Sequence, residues 1–335
     1  MKEKIITFGE IMLRLTPPEY NTIAQTQSFI ANYGGGEANV AVSLSCFGHN
    51  CYFISKLPPN QLGTSCLQSL KAYGVDTSYV VRGSDLMGIY FLETGFGGRP
   101  SKVVYNRKHS AINTIELSEL NLDEIFKDAT WFHVSGISLA LSENVRNALF
   151  ACLEACKKYN VIVSFDFNFR SKLWTIEEAI PQYKKVIPYV DVLFASYFDA
   201  TKILGYEPLN NNIDPRIDVF NQLINNTHIK YIFGTDRTVY SATENALSAF
   251  CIAKDISLNA DNIKFNIYDR IGGGDAFASG VIHGLINDFN NPEYALNFGL
   301  ATSVLKHTLY GDVCTLNTSD IESFMLTQGK GRVQR

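Results

Sequence analysis

Short apolar runs rich in β-branched and aromatic residues alternate with amphipathic stretches along most of the chain. The runs predict buried strands at Ile5–Gly9, Cys51–Leu57, Trp131–Gly136, Val161–Phe169, Val190–Ser196 and Lys230–Thr235. Helical patterns are predicted at about 37–47, 62–73, 142–159, 176–187, 216–226, 275–286, 293–308 and 318–327. This alternation predicts an α/β fold with a mostly parallel sheet flanked by helices on both faces. Ligands of such a sheet bind at the carboxyl ends of the strands.

One segment departs from the alternation. Gly88–Thr94 and Lys102–Arg107 each have a period of two, and the glycine-rich stretch 95–101 between them predicts a β-hairpin. Together with the stretch near 11–30, the hairpin predicts a small β-sheet that serves as a lid. We expect a single domain at 1–328, with lid segments at about 11–30 and 86–108, followed by a frayed basic tail at 329–335.

Composition and charge narrow the classes of partner. The chain has 335 residues, 46% of them hydrophobic, and a net charge of −4, so nothing draws it generally to nucleic acid or to an anionic membrane. Its 7 cysteines include no Cys-x-x-Cys pair and are expected to be reduced. No signal peptide and no membrane-spanning run is apparent, which predicts a cytoplasmic protein. The exposed edges of the predicted lid sheet favour a homodimer or a higher homo-oligomer.

The glycine-rich run at 269–277 is the strongest candidate for chemistry. Gly272, Gly273 and Gly274 lack Cβ atoms, so their N–H groups can converge on an anion together with the free donors at the start of the next helix. Asp275 would repel a phosphate unless it accepts a proton, which is typical of a general base. The alternative is an ordinary glycine turn in which Asp275 caps the helix.

A second glycine cluster repeats this arrangement. Gly34, Gly35 and Gly36 precede a helix of small residues that includes Asn39, so the backbone could approach a ligand closely. The alternative is that these glycines only turn the chain and allow close helix packing. Two such clusters in one α/β chain favour a site for two ligands.

Polar side chains near one strand end and on the hairpin suggest the charge of the substrate. A period of two in the predicted strand puts Asp166, Asn168 and Arg170 on one face. In the hairpin, Tyr90, Tyr105 and Arg107 could close over the same space. Two arginines that meet over a small pocket favour an anionic substrate such as a carboxylate. For each arginine alone, a solvated surface charge is the simpler reading.

The sequence contains neither a P-loop nor the protein kinase motifs. Its two glycine segments instead resemble the signatures of the ribokinase-like, or PfkB, family of carbohydrate kinases. The segment 269–277 resembles the family's Asp-x-x-Gly-Ala-Gly-Asp motif. Several stretches are similar to kinases of 2-keto-3-deoxygluconate, namely 8–15, 35–39, 105–111, 135–137 and 166–174.

The resemblance implies a role for each site residue. Asp275 would deprotonate the terminal hydroxyl of the sugar, and Gly272, Gly273 and Gly274 would stabilise the transferring phosphoryl group. The sugar acid would contact Gly34, Gly35, Asn39, Tyr90, Tyr105, Arg107, Ile137, Asp166, Asn168 and Arg170. ATP would contact Ser196, Gly234, Thr235, Arg237, Gly272, Gly274, Asn297 and Ala301.

Mg²⁺ is implied as well, supported through water by Asp199. In the family an Asn-x-x-Glu motif organises this ion, whereas this chain has Ser196-Tyr197-Phe198-Asp199, and it also lacks the usual Gly-x-x-Gly after Gly234. Use of a monovalent cation such as K⁺ stays open.

Two other functions remain open. The chain could be a fructokinase- or ribokinase-type kinase for a neutral sugar. It could also be a sugar- or nucleotide-binding regulator without turnover, an alternative suggested by Ser196, which replaces the usual Asn of the metal motif. A dinucleotide-dependent oxidoreductase is disfavoured because the first strand lacks the required glycine spacing.

Overall fold

A computed structural model describes residues 3–327, so the predicted tail at 329–335 lies outside the described residues. The strands of this range are, in chain order, β1 (Lys4–Phe8), β2 (Met12–Thr16), β3 (Ile30–Gly34), β4 (Asn50–Leu57), β5 (Val80–Arg82), β6 (Ile89–Glu93), β7 (Lys102–Asn106), β8 (Trp131–Ser135), β9 (Ile162–Asp166), β10 (Val192–Phe194), β11 (Tyr231–Val239), β12 (Glu244–Ala253) and β13 (Ile256–Asn266).

The α-helices of residues 3–327 are α1 (Gly36–Cys46), α2 (Gln61–Ala72), α3 (Leu122–Phe126), α4 (Gly136–Leu141), α5 (Glu143–Tyr159), α6 (Ile176–Val186), α7 (Pro215–Asn225), α8 (Gly273–Asn287), α9 (Pro292–Lys306) and α10 (Thr318–Thr327). Several of these helices begin after a residue whose side chain caps the first turn. Ser142 accepts a hydrogen bond from the Val145 N–H at the start of α5, and Thr175 and Glu178 form a capping box at the start of α6. Among the described residues, no helix is both long enough and apolar enough to cross a membrane.

The large sheet has the order β13-β12-β11-β10-β9-β8-β1-β4-β5. Neighbouring strands from β11 to β5 are parallel, and β12 is antiparallel to both of its neighbours, β11 and β13. The predicted mostly parallel sheet is therefore confirmed.

Both faces of this sheet are buried. Along β1, Ile6 and Phe8 belong to one apolar cluster, which includes residues of α5, α6 and α7, whereas Ile5 belongs to the other, which includes residues of α1, α8 and α9. Alternation of side chains across a strand produces this division. Helices thus cover the sheet on both sides, as predicted.

Two details differ from the sequence prediction. The strand predicted to run to Phe169 ends at Asp166, because the Asn168 N–H turns back to the Asp166 carboxylate at 3.1 Å and Asn168 has a φ of +40°. Arg170 therefore does not continue a strand face. The irregular sequence after Thr235 forms the antiparallel strands β11 to β13, whose apolar pattern is weak because many side chains of the edge strand β13 are exposed.

A small sheet of order β3-β2-β6-β7 contains the predicted hairpin as the antiparallel pair β6 and β7. Buried Arg14 of β2 attaches it to the C-terminal part of the chain through Asp269 at 2.5 Å and Asp312 at 2.6 Å. Lys172, after β9, donates to the Val103 carbonyl of β7 at 3.4 Å. These contacts hold the small sheet beside the carboxyl ends of the parallel strands.

Candidate active site

The glycine turn at the start of α8 is tightly packed on one side and open on the other. Gly272 caps the helix with a φ of +82°, and a Cβ there would lie 1.7 Å from the backbone oxygen of Asp312. A Cβ on Gly273 would lie 2.4 Å from the ring of His307, whereas no atom lies within 4 Å of the Cβ position of Gly274. The helix N-terminus therefore has close backbone packing behind it and free space in front.

Asp275 lies in the first turn of α8 and is half-buried. Its Oδ2 accepts a hydrogen bond from Asn39 Nδ2 of α1 at 2.7 Å. Burial raises the pKa of Asp275 to about 6, while the hydrogen bond from Asn39 and the charge of Arg170 oppose that rise. The carboxylate can thus be ionised near neutral pH and still accept a proton readily.

The second glycine cluster meets the first at this carboxylate. Asn39 accepts from the Gly35 N–H at 3.2 Å while it donates to the base, so one amide joins both clusters. A Cβ on Gly34 would lie 2.0 Å from the Asp312 carboxylate, and one on Gly35 would lie 1.9 Å from the Glu10 carbonyl. Both glycines are therefore tightly packed, and this packing positions Asn39, while their contact with a sugar stays a prediction.

A cavity of about 480 Å³ opens at the carboxyl ends of β9 and β10 and beside the middle of β11. It is lined by Asp166, Asn168, Phe169, Phe194, Ala195, Ser196, Phe198, Asp199, Phe233, Gly234, Thr235, Gly274 and Phe277. Seven of these were predicted as site residues: Asp166, Asn168, Ser196, Asp199, Gly234, Thr235 and Gly274. Sequence reasoning missed the aromatic wall, because strand aromatics are usually core residues. Apolar walls with a few polar groups are typical of small-molecule sites.

Three carboxylates lie around this cavity. Burial and, to a smaller extent, the charge of Asp275 raise the pKa of Asp166 to about 8, and the charge of Arg170 opposes this rise. Asp199 accepts from the N–H and the hydroxyl of Ser196 at 2.8 and 2.7 Å, and burial raises its pKa. Mutual repulsion of carboxylates fits a site for a hard cation with oxygen ligands. Because residues 3–327 contain no group of three His, Cys, Asp or Glu able to enclose a metal, such an ion would need further ligands from water or phosphate.

The aromatic and charged residues of the small sheet are largely paired with one another. Tyr90 and Tyr105 face each other in register, with ring centroids 5.9 Å apart. The Tyr90 hydroxyl donates to Asp312. Arg107 forms an ion pair with buried Glu10 and lies 5.7 Å from the Tyr105 ring, while its Nε is buried without a hydrogen-bond partner. This donor is left without the hydrogen bond that buried polar groups normally make.

Arg170 and Ile137 lie closer to the large sheet. Arg170 is exposed. Its positive charge opposes the rise in pKa that burial causes at the Asp166 and Asp275 carboxyls. Ile137 is half-buried in the first turn of α4, where its N–H donates to Ser135 at 3.3 Å. A role for Arg170 and Ile137 in binding the substrate stays a prediction.

Four residues predicted to contact the nucleotide are not among those lining the cavity, namely Gly272, which packs against Asp312, and Arg237, Asn297 and Ala301. Arg237 donates from both terminal nitrogens to His307 Nε2 at 3.1 Å, and His307 Nδ1 donates to the Ser303 carbonyl at 2.6 Å. Asn297 donates to a backbone carbonyl one turn earlier in α9, and Ala301 is buried. A role for Arg237, Asn297 and Ala301 in nucleotide binding stays a prediction.

A buried glutamate directly after the second glycine cluster was not predicted. Glu37 of α1 accepts from the Ser135 N–H at 2.9 Å, from the Ser135 hydroxyl at 2.7 Å and from the Ser138 hydroxyl at 2.9 Å. Burial raises its pKa to about 7, and the hydrogen bonds from Ser135 oppose this rise. The only sequence feature that could have indicated this buried glutamate was its position directly after three glycines.

Arg14, Asp269 and Asp312 were also missed as a connected group. Arg14 is fully buried between the two carboxylates. An arginine within the apolar strand Met12–Thr16 could have indicated a buried ion pair, but no local pattern identifies partners that are 255 and 298 residues away in sequence.

The large α/β sheet, the small second sheet and the glycine turn at the strand ends make the architecture ribokinase-like. The structure of 2-dehydro-3-deoxygluconokinase from Thermotoga maritima is similar to it, with a TM-score of 0.92, 38% identity, and coverage of 97% of this chain and 99% of that one. The family model described as "pfkB family carbohydrate kinase" matches residues 2–317. The chain therefore belongs to the PfkB family of carbohydrate kinases.

Two characterised relatives are similar in sequence over almost their full length. A 2-dehydro-3-deoxygalactonokinase from Haloferax volcanii is 32% identical over 327 residues, which cover 96% of each chain. A 2-dehydro-3-deoxygluconokinase from Bacillus subtilis is 27% identical over 333 residues, covering 98% of this chain and 97% of the relative.

Proposed function

We propose that this kinase uses ATP and Mg²⁺ to phosphorylate the terminal hydroxyl of 2-keto-3-deoxygluconate, also called 2-dehydro-3-deoxygluconate. The observation on which this depends is the position of Asp275. It lies beside the open face of Gly274 at the start of α8, and Asn39 fixes one carboxylate oxygen at 2.7 Å. A sugar hydroxyl next to Asp275 would face a phosphoryl group held at the helix N-terminus.

Asp275 acts as the general base in this mechanism. With a pKa of about 6 it is mostly ionised at pH 7, so it can accept the proton of the hydroxyl as the oxygen attacks the γ-phosphorus. The N–H groups at 272–274 and the positive end of the α8 dipole then stabilise charge on the transferring group. The close packing behind Gly272 and Gly273 keeps these donors aligned.

The nucleotide would lie in the cavity beside the base. Phe194, Phe198, Phe233 and Phe277 line it, and of these only Phe198 is exposed. Ser196 and Thr235 lie at its exposed rim. Asp199 and Asp166 would support Mg²⁺, in part through water, and the bound ion would neutralise charge on the phosphates.

The substrate is inferred from the two arginines and from the relatives. Arg170 lies near Asp275, and Arg107 has an unpaired buried Nε, so a carboxylate bound between the small sheet and the strand ends could accept from both. The relatives named above act, by their names, on 2-dehydro-3-deoxy sugar acids. The gluconate and galactonate forms differ only at C4, and we propose the gluconate form as substrate.

A neutral sugar is the alternative, favoured by the ion pair that already neutralises Arg107 with Glu10. A coupled ADP-release assay decides between them, with 2-keto-3-deoxygluconate, its C4 epimer, gluconate, fructose and ribose as substrates. We expect the keto-deoxy acids to have the highest kcat/KM. Equal or greater kcat/KM for fructose or ribose would contradict the proposed substrate, and tight sugar binding without ADP release would indicate a regulator.

The arginines have their own test in the same assay. Because each charge-assisted hydrogen bond contributes about 1.5 to 3 kcal/mol, Arg107→Ala and Arg170→Ala should each lower kcat/KM for the keto acid by roughly 10- to 150-fold. Their effect on a neutral sugar should be much smaller. Lys157→Ala, which removes an exposed positive charge from α5, serves as the control. If all three variants keep the preference of the parent for the acid, the arginines do not bind the carboxylate.

We further propose that the small sheet is a lid of a single kinase domain and that its edge strands β3 and β7 pair with a second copy of this chain. Exposed Ile30 and Val104 on these strands support the pairing. Light scattering should give the mass of a dimer or a larger assembly, and a monomer at micromolar concentration would contradict it.

A further inference from the structure

Asp312 lies where the small sheet and both glycine turns meet. It follows α9 in a segment without helix or strand, and its side chain is buried. Its Oδ1 accepts from Arg14 of β2 at 2.6 Å, and its Oδ2 accepts from the Tyr90 hydroxyl of β6. One carboxylate therefore holds two strands of the small sheet.

The same residue packs directly against both glycine turns. The Asp312 carboxylate lies 2.0 Å from the Cβ position of Gly34, at the sugar-side turn, and its backbone oxygen lies 1.7 Å from the Cβ position of Gly272, at the phosphate-side turn. Only glycine tolerates such contacts, because a Cβ atom at either position would overlap Asp312. Movement of Asp312 would consequently displace both turns.

Arg14 extends this connection to the segment before the phosphate-side turn. Its guanidinium bonds Asp269 at 2.5 Å, and the Asp269 carboxylate accepts from the N–H groups of Ile271 at 3.1 Å and Gly311 at 3.0 Å. Lys306 donates to the Asp269 carbonyl at 3.2 Å. Two buried cations thus balance two buried carboxylates, and loss of one member leaves a charge uncompensated in a buried site.

We propose that Asp312 is a positioning residue that couples the sugar-side turn and the small sheet to the phosphate-side turn. Sugar binding against Gly34 and Tyr90 orients Asp312, and Asp312 in turn fixes the N–H groups at 272–274 relative to Asp275. The inference rests on the proposed kinase function and adds a coupling between the two substrates. Misplacement of reacting groups by about 1 Å can cost roughly 100-fold in rate.

The test compares Asp312→Asn with the parent in two measurements. Turnover is followed as ADP release with the best sugar of the panel, and we expect kcat to fall about 10- to 100-fold. Calorimetry measures the Kd of the non-hydrolysable β,γ-imido analogue of ATP with and without that sugar. In the parent, the sugar should tighten analogue binding by at least about fivefold, and Asp312→Asn should abolish this tightening while the Kd without sugar changes less than about threefold.

Asp128→Asn is the matched control, since it removes an exposed carboxylate before β8. It should behave as the parent in both measurements. The inference is wrong if Asp312→Asn keeps kcat within about threefold of the parent, or if the sugar still tightens analogue binding in this variant. It is also wrong if the parent shows no tightening.

Tyr90→Phe keeps the test decisive if Asp312→Asn does not fold, as judged by circular dichroism. This change removes only the hydroxyl that contacts Asp312. The logarithm of the ratio between the Kd of the analogue without sugar and with sugar should therefore fall to about half of the parental value or less, and an unchanged ratio would overturn the inference. A parent that binds sugar and analogue but releases no ADP refutes the proposed function. The binding measurements need no turnover and still decide the role of Asp312.

Discussion

The hydrogen bond from Asn39 to Asp275 allows a direct test of the proposed base. Asn39→Leu keeps the volume of the side chain but removes the donor that lies 2.7 Å from Asp275 Oδ2. It also removes the acceptor for the Gly35 N–H. Because the hydrogen bond favours the ionised carboxylate, its loss must raise the pKa of Asp275 above the present value of about 6.

The size of the effect follows from the strength of such bonds. A hydrogen bond to a charged group contributes about 1.5 to 3 kcal/mol, and about 1.36 kcal/mol corresponds to one pKa unit, so the pKa should rise by roughly one to two units. At pH 7 the parent is then roughly nine-tenths ionised, and the variant roughly a tenth to a half. We expect kcat at pH 7 to fall about 2- to 10-fold and to recover by about pH 9.

The assay is the pH dependence of kcat between about pH 5 and 9, measured as ADP release at saturating sugar and ATP. Asn225→Leu, an equivalent change at an exposed position of α7, should leave the profile unchanged. If the acid limb of Asn39→Leu coincides with that of the parent, or moves to lower pH, Asp275 is not the group whose ionisation limits the reaction.

Three further predictions concern the base, a buried acid and the metal. Asp275→Asn should lower kcat about 10²- to 10⁴-fold with sugar binding retained in calorimetry, and near-parental turnover would refute the role. Burial raises the pKa of Glu37 from the ordinary 4.5 to about 7. Between these two pH values Glu37 is protonated in the native state but ionised in the unfolded chain, so the native state loses stability as the pH rises from about 4.5 to 7. Glu37→Gln has no such titrating group, so its free energy of unfolding in urea, relative to that of the parent, should be about 3 kcal/mol higher at pH 8 than at pH 5. A difference between variant and parent that does not depend on pH would contradict the raised pKa of Glu37. EDTA should abolish ADP release, Mg²⁺ should restore it, and activity that survives chelation would exclude the metal.

Local patterns were sufficient for most elements of the fold. Runs such as Cys51–Leu57 are apolar on both faces because helices cover both sides of the sheet, and such runs are read without tertiary information. Prediction was wrong where a backbone turn overrode the apolar alternation, as after Asp166. It was also incomplete at β12 and β13, and exposed positions weaken the pattern of the edge strand β13.

Within the candidate site, the sequence distinguished residues by chemistry but not by partner. Asp275 and Gly274 were found because glycine and carboxylate at the start of a helix are conspicuous in any α/β sequence, whereas Asp199 was found through the resemblance to the family's Asn-x-x-Glu motif. Asp312 and Glu37 resembled ordinary loop or helix acids. Their importance depends on burial, which a single sequence reveals poorly for charged residues.

The α/β architecture, the family and the glycine turn that ends in an acid could be inferred from the chain alone, since each is encoded in residues close together along it. The contact of Asn39 with Asp275, and the position of Asp312 between the small sheet and both glycine turns, became evident only in the folded protein. Those contacts link residues 236 and 298 positions apart, at Asn39–Asp275 and Arg14–Asp312. The physical reason is that side chains distant in sequence become neighbours only when the parallel strands align their carboxyl ends at one edge of the sheet.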